Sequence, residues 1–307
     1  MNIAPNRLGQ PAATTEAILE ALFHPTGVDG VYGRSGAYEA VIDGLGGLIN
    51  RARDPRAEVV RFPPVVSRAL IEKSGYLKSF PHLLGCVCAL GGGDAAIGAA
   101  VERFETGGTW TDGLQASDLV LAPAACYPVY PLAARRGPVP RDGLIFDVAS
   151  DCFRREPSRD INRLQSFRMR EFVFIGAPEA AAAFRDNWKA RAGDFVDSLG
   201  LSSRVEAASD PFFGRGGAMV GRLQVEQALK FELMIPVRSA EKPTACMSFN
   251  CHRDHFGQTW GLMSADGATA HTACVAFGID RLAAALFAAH GVDSARWPAN
   301  MRQTLAL

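Results

Sequence analysis

CFRREPSRDINRLQSFRMREFVF, Cys152–Phe174, is the stretch whose reading decides the fold. It sets Arg154, Arg155, Arg159, Arg163, Arg168 and Arg170 against Glu156 and Glu171. Strand candidates stand on both sides of its arginine-rich middle: residues 144–149 before it, and 169–175 (MREFVFI) at its end. An arginine at the head of a strand–loop–strand suits a phosphate, because the guanidinium is a planar fork that grips oxyanions through two parallel hydrogen bonds. Phe167 offers a ring face on which a purine can stack. On charge alone a solvated basic hairpin reads equally well.

Working outward, residues 15–23 and 37–53 have helical spacing, and Gly27–Gly36 is glycine-rich and reads as a loop. Glu58–Phe62 is a short strand stopped by Pro63 and Pro64, and residues 65–73 read as a helix. Residues 117–121 read as a strand. Pro178 opens a helix over 178–199. Residues 216–230 read as a further helix, 229–235 and 244–250 as strands, and 270–277 with 279–290 as a closing strand and helix. Residues 1–15 read as a loose polar arm. Strands joined by hairpins and long loops, with no regular alternation of strand and helix, point to an α+β fold on an antiparallel sheet flanked by helices. No GxxxxGK[ST] loop is present, so a nucleotide would need another cradle.

The bulk properties narrow the function. The 307 residues carry 32 Lys plus Arg against 32 Asp plus Glu, a balance that lacks the basic excess of a nucleic-acid-gripping surface. Seven scattered cysteines form no disulfide framework, and no apolar run is long enough for a membrane span or a signal segment. A reducing cytoplasm is the expected compartment. Each cysteine taken alone reads as a small buried apolar residue, and each of His252, His255 and His271 as hydrogen-bonded structure.

The order of residues adds a resemblance. Phe153-Arg154-x-Glu156, then Arg163, then Phe167-x-x-x-Glu171 resembles motif 2 of class II aminoacyl-tRNA synthetases. Ala276-x-Gly278-Ile279-Asp280-Arg281 before an alanine-rich helix resembles their motif 3, with Ala276 in place of the usual first glycine. Val59-Val60-x-Phe62-Pro63-Pro64 resembles motif 1, the dimer element. The likeness is nearest to the seryl branch, over roughly residues 55–295, with 1–54 as a helical segment packed on a single catalytic domain, 55–307. It implies that Arg154 and Arg281 are catalytic, that Arg154, Glu156, Arg163, Leu164, Phe167, Lys230 and Arg281 bind ATP, and that Glu232 holds Mg²⁺ or forms a salt bridge.

The same resemblance, to the methanogen-type seryl enzymes, implies zinc held by Cys126, Glu171 and Cys274, which spacing alone would not identify. Two thiolates and a carboxylate leave one tetrahedral position for a substrate amine. Ala245, Cys246, Met247 and Ser248 are then expected to line the amino-acid pocket, with Glu171 and Asp210 beside the substrate. The seryl Glu-x-x-Ser pattern is absent there, which argues against serine. Only about 55 residues precede motif 1, with no long helix pair for tRNA. A core of this kind is similar to the amino acid:[carrier protein] ligases. These activate a small amino acid, glycine or alanine, with ATP and Mg²⁺ and pass it to the phosphopantetheine thiol of a carrier protein.

The rival expectations are a seryl-type tRNA ligase, a non-catalytic paralogue that binds an amino acid or a partner, and an adenylate-forming synthetase that releases a free small product. On the carrier-ligase expectation, Arg222 and Lys230 on the 216–230 segment would meet an acidic carrier. Arg222→Glu is then expected to weaken transfer to the carrier while adenylate formation, followed by ATP–pyrophosphate exchange, stays intact; equal loss of both steps would refute the docking role.

Overall fold

The computed structural model describes residues 11–307, so most of the expected N-terminal arm lies outside the described residues. Thr14 caps the first helix, α1 (Thr15–Leu22), its side chain accepting the Ala17 N–H at 3.2 Å. Two strands follow, β1 (Phe23–Val28) and β2 (Val31–Arg34), and then α2 (Gly36–Ala52), capped by Ser35. The segment expected as a loop at Gly27–Gly36 is therefore largely hairpin. Val28 pairs with Val31 across Asp29-Gly30, with Gly30 at φ +80°, and Asp-Gly is a favoured two-residue hairpin turn. The alternation was hidden because Pro25, Gly27 and Gly33 interrupt it and most of the hairpin is not buried.

The chain continues through β3 (Glu58–Arg61), β4 (Val65–Ser67), α3 (Arg68–Lys73), α4 (Tyr76–Ser79), β5 (Cys86–Leu90), α5 (Gly93–Glu105) and β6 (Leu114–Leu121). The helix expected at 65–73 begins only at Arg68. Pro63 and Pro64 favour extended backbone, and Val65–Ser67 pairs with β6 instead. The strand expected at 117–121 thus belongs to a small sheet of order β4-β6-β5.

Next come α6 (Val129–Ala134), β7 (Leu144–Phe153), β8 (Ser166–Gly176), α7 (Pro178–Asp197), β9 (Arg204–Ala207), α8 (Gly214–Glu226), β10 (Lys230–Ile235), β11 (Thr244–Arg253), α9 (His255–Trp260), β12 (His271–Gly278), α10 (Ile279–His290) and α11 (Ala299–Leu305). The helix expected over 216–230 ends at Glu226, and Lys230 starts a strand. The large sheet has the order β3-β7-β8-β12-β11-β10-β9. Its pairs are antiparallel except β3 with β7 at one edge. This is the α+β architecture expected from the sequence, an almost wholly antiparallel sheet flanked by helices.

Alternation along the strands gives the sheet two different faces. Phe172, Leu233, Phe249, Val275 and Phe277 pack with Trp188 of α7 and Leu282, Leu286 and Phe287 of α10. Residues of α1 and α2, among them Ile18, Leu22, Val41 and Leu45, complete this core, and Tyr38 stacks on Phe287 with ring centroids 5.6 Å apart. On the other face Phe146, Val148, Val173 and Ile175 pack with Val129, Tyr130 and Phe256.

Asp147 of β7 anchors the first face. It is fully buried and pairs with Arg170 of β8, with Arg53 at 3.1 Å and with Arg61 at 3.3 Å. Burial alone would raise its pKa, but Arg170, Arg53 and Arg61 together hold it below the usual carboxylate range. Arg170 also donates to Asn50 at 2.6 Å and to the Gly46 carbonyl at 3.2 Å, tying α2 to the sheet. Asp147→Ala leaves Arg170 buried without its carboxylate, a change expected to cost about 3–5 kcal/mol. Denaturant unfolding should show the midpoint fall with its slope unchanged.

Candidate active site

The registers of four strands build one face of the site. On β12, Ala276 lies opposite Glu171 of β8, and Cys274 opposite Val173. On β11, Ser248 lies opposite Ala276 and Asn250 opposite Cys274. On β10, Glu232 lies opposite Ser248 and Lys230 opposite Asn250. Directly paired residues share a face, so Lys230, Glu232, Ser248, Asn250, Cys274 and Glu171 face the same side. A strand cannot present four successive side chains to one pocket. Of the expected Ala245–Ser248 lining, Ser248 stands on this face. Met247 is buried in the helix-side core, Cys246 is buried with it, and Ala245 offers its carbonyl instead. Asn250, which the sequence reading passed over, was findable from strand alternation two residues beyond Ser248.

Cys126, in the turn after β6, meets this face at Glu171. One Glu171 carboxylate oxygen accepts the N–H groups of Ala125 and Cys126 at 2.9 and 3.0 Å, and the buried Cys126 and Cys274 thiols lie close enough to feel the carboxylate's charge. Asn250 donates to Cys274 Sγ at 3.3 Å, and His252 Nε2 lies 3.8 Å from the same sulfur. Burial, followed by the Glu171 charge, pushes both thiols well above their ordinary values. Burial also raises Glu171, although the thiols and N–H groups oppose it. Among the described residues, no group of three or more His, Cys, Asp and Glu is arranged to hold a metal ion as placed. The trio stands as a buried thiol–carboxylate cluster.

Beside it lies a narrow cleft lined by Arg154, Glu156, Asn162, Leu164, Phe167 and Arg281 among others. Arg154 donates to the Pro123 carbonyl at 3.1 Å, and its guanidinium lies 5.5 Å from the centre of the Phe167 ring. Arg281, at the start of α10, donates to the carbonyls of Asn162 at 2.8 Å and Ala245 at 2.9 Å. Burial lowers the Arg281 pKa and the positive charge of Arg154 lowers it further, while Cys246, Glu232 and Glu156 oppose this. Two guanidiniums held by neutral carbonyls, with Arg281 feeling the charge of Arg154, give the cleft the means to hold an anion. Arg163 is exposed and does not line it.

Lys230 is paired with Asp210 and, at 3.1 Å, with Glu232, so as placed its charge is answered by carboxylates, and Glu232 is a salt-bridge partner. Gln224 of α8 donates to Asp210 at 2.8 Å, bringing that helix to the edge of the site. Tyr76 is only 4% exposed, and its hydroxyl has no hydrogen-bond partner. Burial pushes its pKa up to about 12, and the charges it feels include Arg154 and Glu156. A tyrosine in a four-residue helix leaves no periodic signal, so the sequence reading missed it. Cys86 and Cys88 are exposed on β5 of the small sheet.

No family model matches the chain. It is 57% identical over 312 residues to amino acid–[acyl-carrier-protein] ligase 1 of Bradyrhizobium diazoefficiens, covering all of this chain and 96% of that protein. It is 58% identical over 297 residues to ligase 2 of the same organism, covering 97% and 89%. The type-2 serine–tRNA ligase of Methanopyrus kandleri is 29% identical over 203 residues, 62% of this chain and 38% of that protein. Among solved structures, M. kandleri SerRS in complex with A. aeolicus tRNASec superposes with a TM-score of 0.81 at 22% identity, covering 99% of this chain and 62% of that chain. Seryl-tRNA synthetase from Pyrococcus horikoshii complexed with ATP gives 0.70 at 15%, covering 97% and 64%. The two structures bear on the fold; the end-to-end match at more than half identity makes the chain a member of the amino acid–[acyl-carrier-protein] ligase family, a family of ligase enzymes.

Proposed function

We propose that this protein uses ATP to convert a small amino acid, glycine or alanine, into its adenylate and transfers the aminoacyl group to the phosphopantetheine thiol of a carrier protein. The observation that carries this reading is the convergence of Arg154 and Arg281 on one cleft beside the Glu171 face. The relatives named amino acid–[acyl-carrier-protein] ligase, matched along nearly their whole length, support the acceptor.

The amino-acid carboxylate attacks the α-phosphorus, the new P–O bond forms, and pyrophosphate leaves with the electrons of the broken one. Arg154 and Arg281 offset the charge gathering on the phosphates. Phe167 offers the adenine a stacking face and Glu156 an acceptor for its amino group. The carrier thiolate then attacks the acyl carbonyl. A C–S bond forms, the acyl C–O bond breaks, and AMP leaves, with no protein nucleophile required.

The donor set of Cys126, Glu171 and Cys274 suits zinc by its chemistry, because two thiols and a carboxylate share one buried spot. Zinc bound there supplies a Lewis acid that selects an unprotonated substrate amine. Asn250, on Cys274, orients that ligand. Glu232 becomes available for Mg²⁺ when Lys230 stays with Asp210 alone. The exposed Met219, Val220 and Leu223 of α8, with Arg222, offer a surface for the carrier. Homodimerisation, the absence of tRNA as acceptor, and a cytoplasmic setting suited to seven free thiols belong to the same proposal. Among the described residues no helix is long and apolar enough to cross a membrane.

ATP–pyrophosphate exchange with each amino acid, followed by transfer to phosphopantetheinylated carrier or to tRNA, tests the reading. Exchange with a small amino acid and loading of the carrier alone are expected. Loading of tRNA would overturn the acceptor, and exchange with no amino acid would overturn the whole. Arg281→Ala should lower kcat/KM for exchange by about 10²–10³. Metal analysis should find zinc in the wild type and much less in Cys274→Ser; a zinc-free wild type with full activity removes the metal from the reading.

A further inference from the structure

The N-terminal hairpin reaches the cleft from outside the two segments that build it. Its tip, Asp29-Gly30, lies on the loop between β7 and β8. The Gly30 carbonyl accepts the N–H of Gln165 at 2.8 Å and that of Ser166 at 3.4 Å. The Asp29 carbonyl accepts Gln165 Nε2 at 2.8 Å, and the Asp29 carboxylate lies 3.2 Å from Arg159 Nε. From β2, Arg34 donates to the Ser166 carbonyl at 3.1 Å and pairs with Asp280 at 3.2 Å, one residue before Arg281.

Gln165 is the hub of these contacts. It is only 5% exposed, and its own carbonyl accepts the N–H of Arg154 at 2.9 Å. Its backbone N–H and side chain thus face the hairpin while its carbonyl holds the backbone of the phosphate-facing arginine. Gly30 is required there twice over. Its φ is +80°, and a Cβ would stand 3.0 Å from both Cγ and N of Gln165 and 3.2 Å from the Ser158 carbonyl. The loop held this way, residues 154–165, has no helix or strand of its own, and Arg155, Pro157, Arg159 and Arg163 are exposed.

We infer that the hairpin is a clamp that keeps the 154–165 loop in its nucleotide-binding shape, with Gln165 as the positioning residue that carries the constraint to Arg154. The inference rests on the ATP-dependent reading above. A loop released from the hairpin would occupy the binding shape only part of the time. Apparent ATP affinity falls by that fraction, while the chemistry in the filled site is unchanged. The clamp therefore acts on the KM for ATP and not on kcat.

Gly30→Ala and Gln165→Met test it, the second keeping side-chain length without the donor. In ATP–pyrophosphate exchange both should raise the KM for ATP about tenfold, with kcat within about twofold. Tm should stay within about 4 °C. In nucleotide-free protein, amides of 154–166 should exchange hydrogen faster in both variants while those of β12 and α10 do not. An unchanged KM for ATP together with wild-type hydrogen exchange in the loop overturns the clamp. So does a loss of activity that follows the fall in Tm at constant KM. A wild-type protein that shows no exchange with any amino acid sinks the ATP-dependent reading by itself, and the hydrogen-exchange comparison still decides whether the hairpin holds the loop.

Discussion

The pairing register of β8 is the constraint on which the rest of the molecule depends. Its residues 167, 169, 171 and 173 face the site, and 168, 170, 172 and 174 face the helices. A slip of one residue would bury Glu171 among Phe249, Phe277 and Trp188 and turn Arg170 away from Asp147. The Arg170–Asp147 pair opposes that slip, because either charge left alone in the core is costly. The same register, carried across β12 and β11, stations Cys274 and Asn250 beside Glu171. Structural ion pair and chemical cluster are therefore two faces of one strand.

Electrostatically the site is divided. Arg154 and Arg281 are tied to the carbonyls of Pro123, Asn162 and Ala245, which fix the side chains without neutralising them. Lys230, by contrast, is answered by Asp210 and Glu232. Asp280, next in sequence to Arg281, is taken up by Arg34 and Arg168. The two guanidiniums without a salt-bridge partner thus meet in the cleft, with Glu156 on the same lining, an arrangement that suits an anionic ligand with a polar edge.

Much of this was legible in order and spacing. The helices at 37–53 and 279–290 were placed to within a residue or so of α2 and α10, and the strands flanking Cys152–Phe174 were found, though short of their full lengths. Long amphipathic or buried runs announce themselves. The hairpin at 23–34 did not, because its strands are largely exposed and broken by glycine and proline. Nor did β5 and α5, whose residues are mostly exposed and so lack an apolar period. In the site, Arg154 and Arg281 stood out through their motif context, Asn250 could be reached only through strand alternation from Ser248, and Tyr76 carries no local pattern.

By itself the sequence determined the long helices and the strands around the arginine-rich loop, the order in which the arginine-bearing segments follow one another, and the family to which that order points. These are properties of short windows: a hydrophobic period, a proline, a charged loop between strands. Only the tertiary structure decided which residues share a face. Ser248 and Asn250 go to the site and Met247 to the core because β11 pairs with β12 in one register and with β10 through a bulge at Leu233/Met234. It also decided that a glycine-rich segment near the N-terminus, more than a hundred residues before the cleft loop, closes on that loop. Contacts between segments so far apart follow from how the layers pack, which no local pattern records.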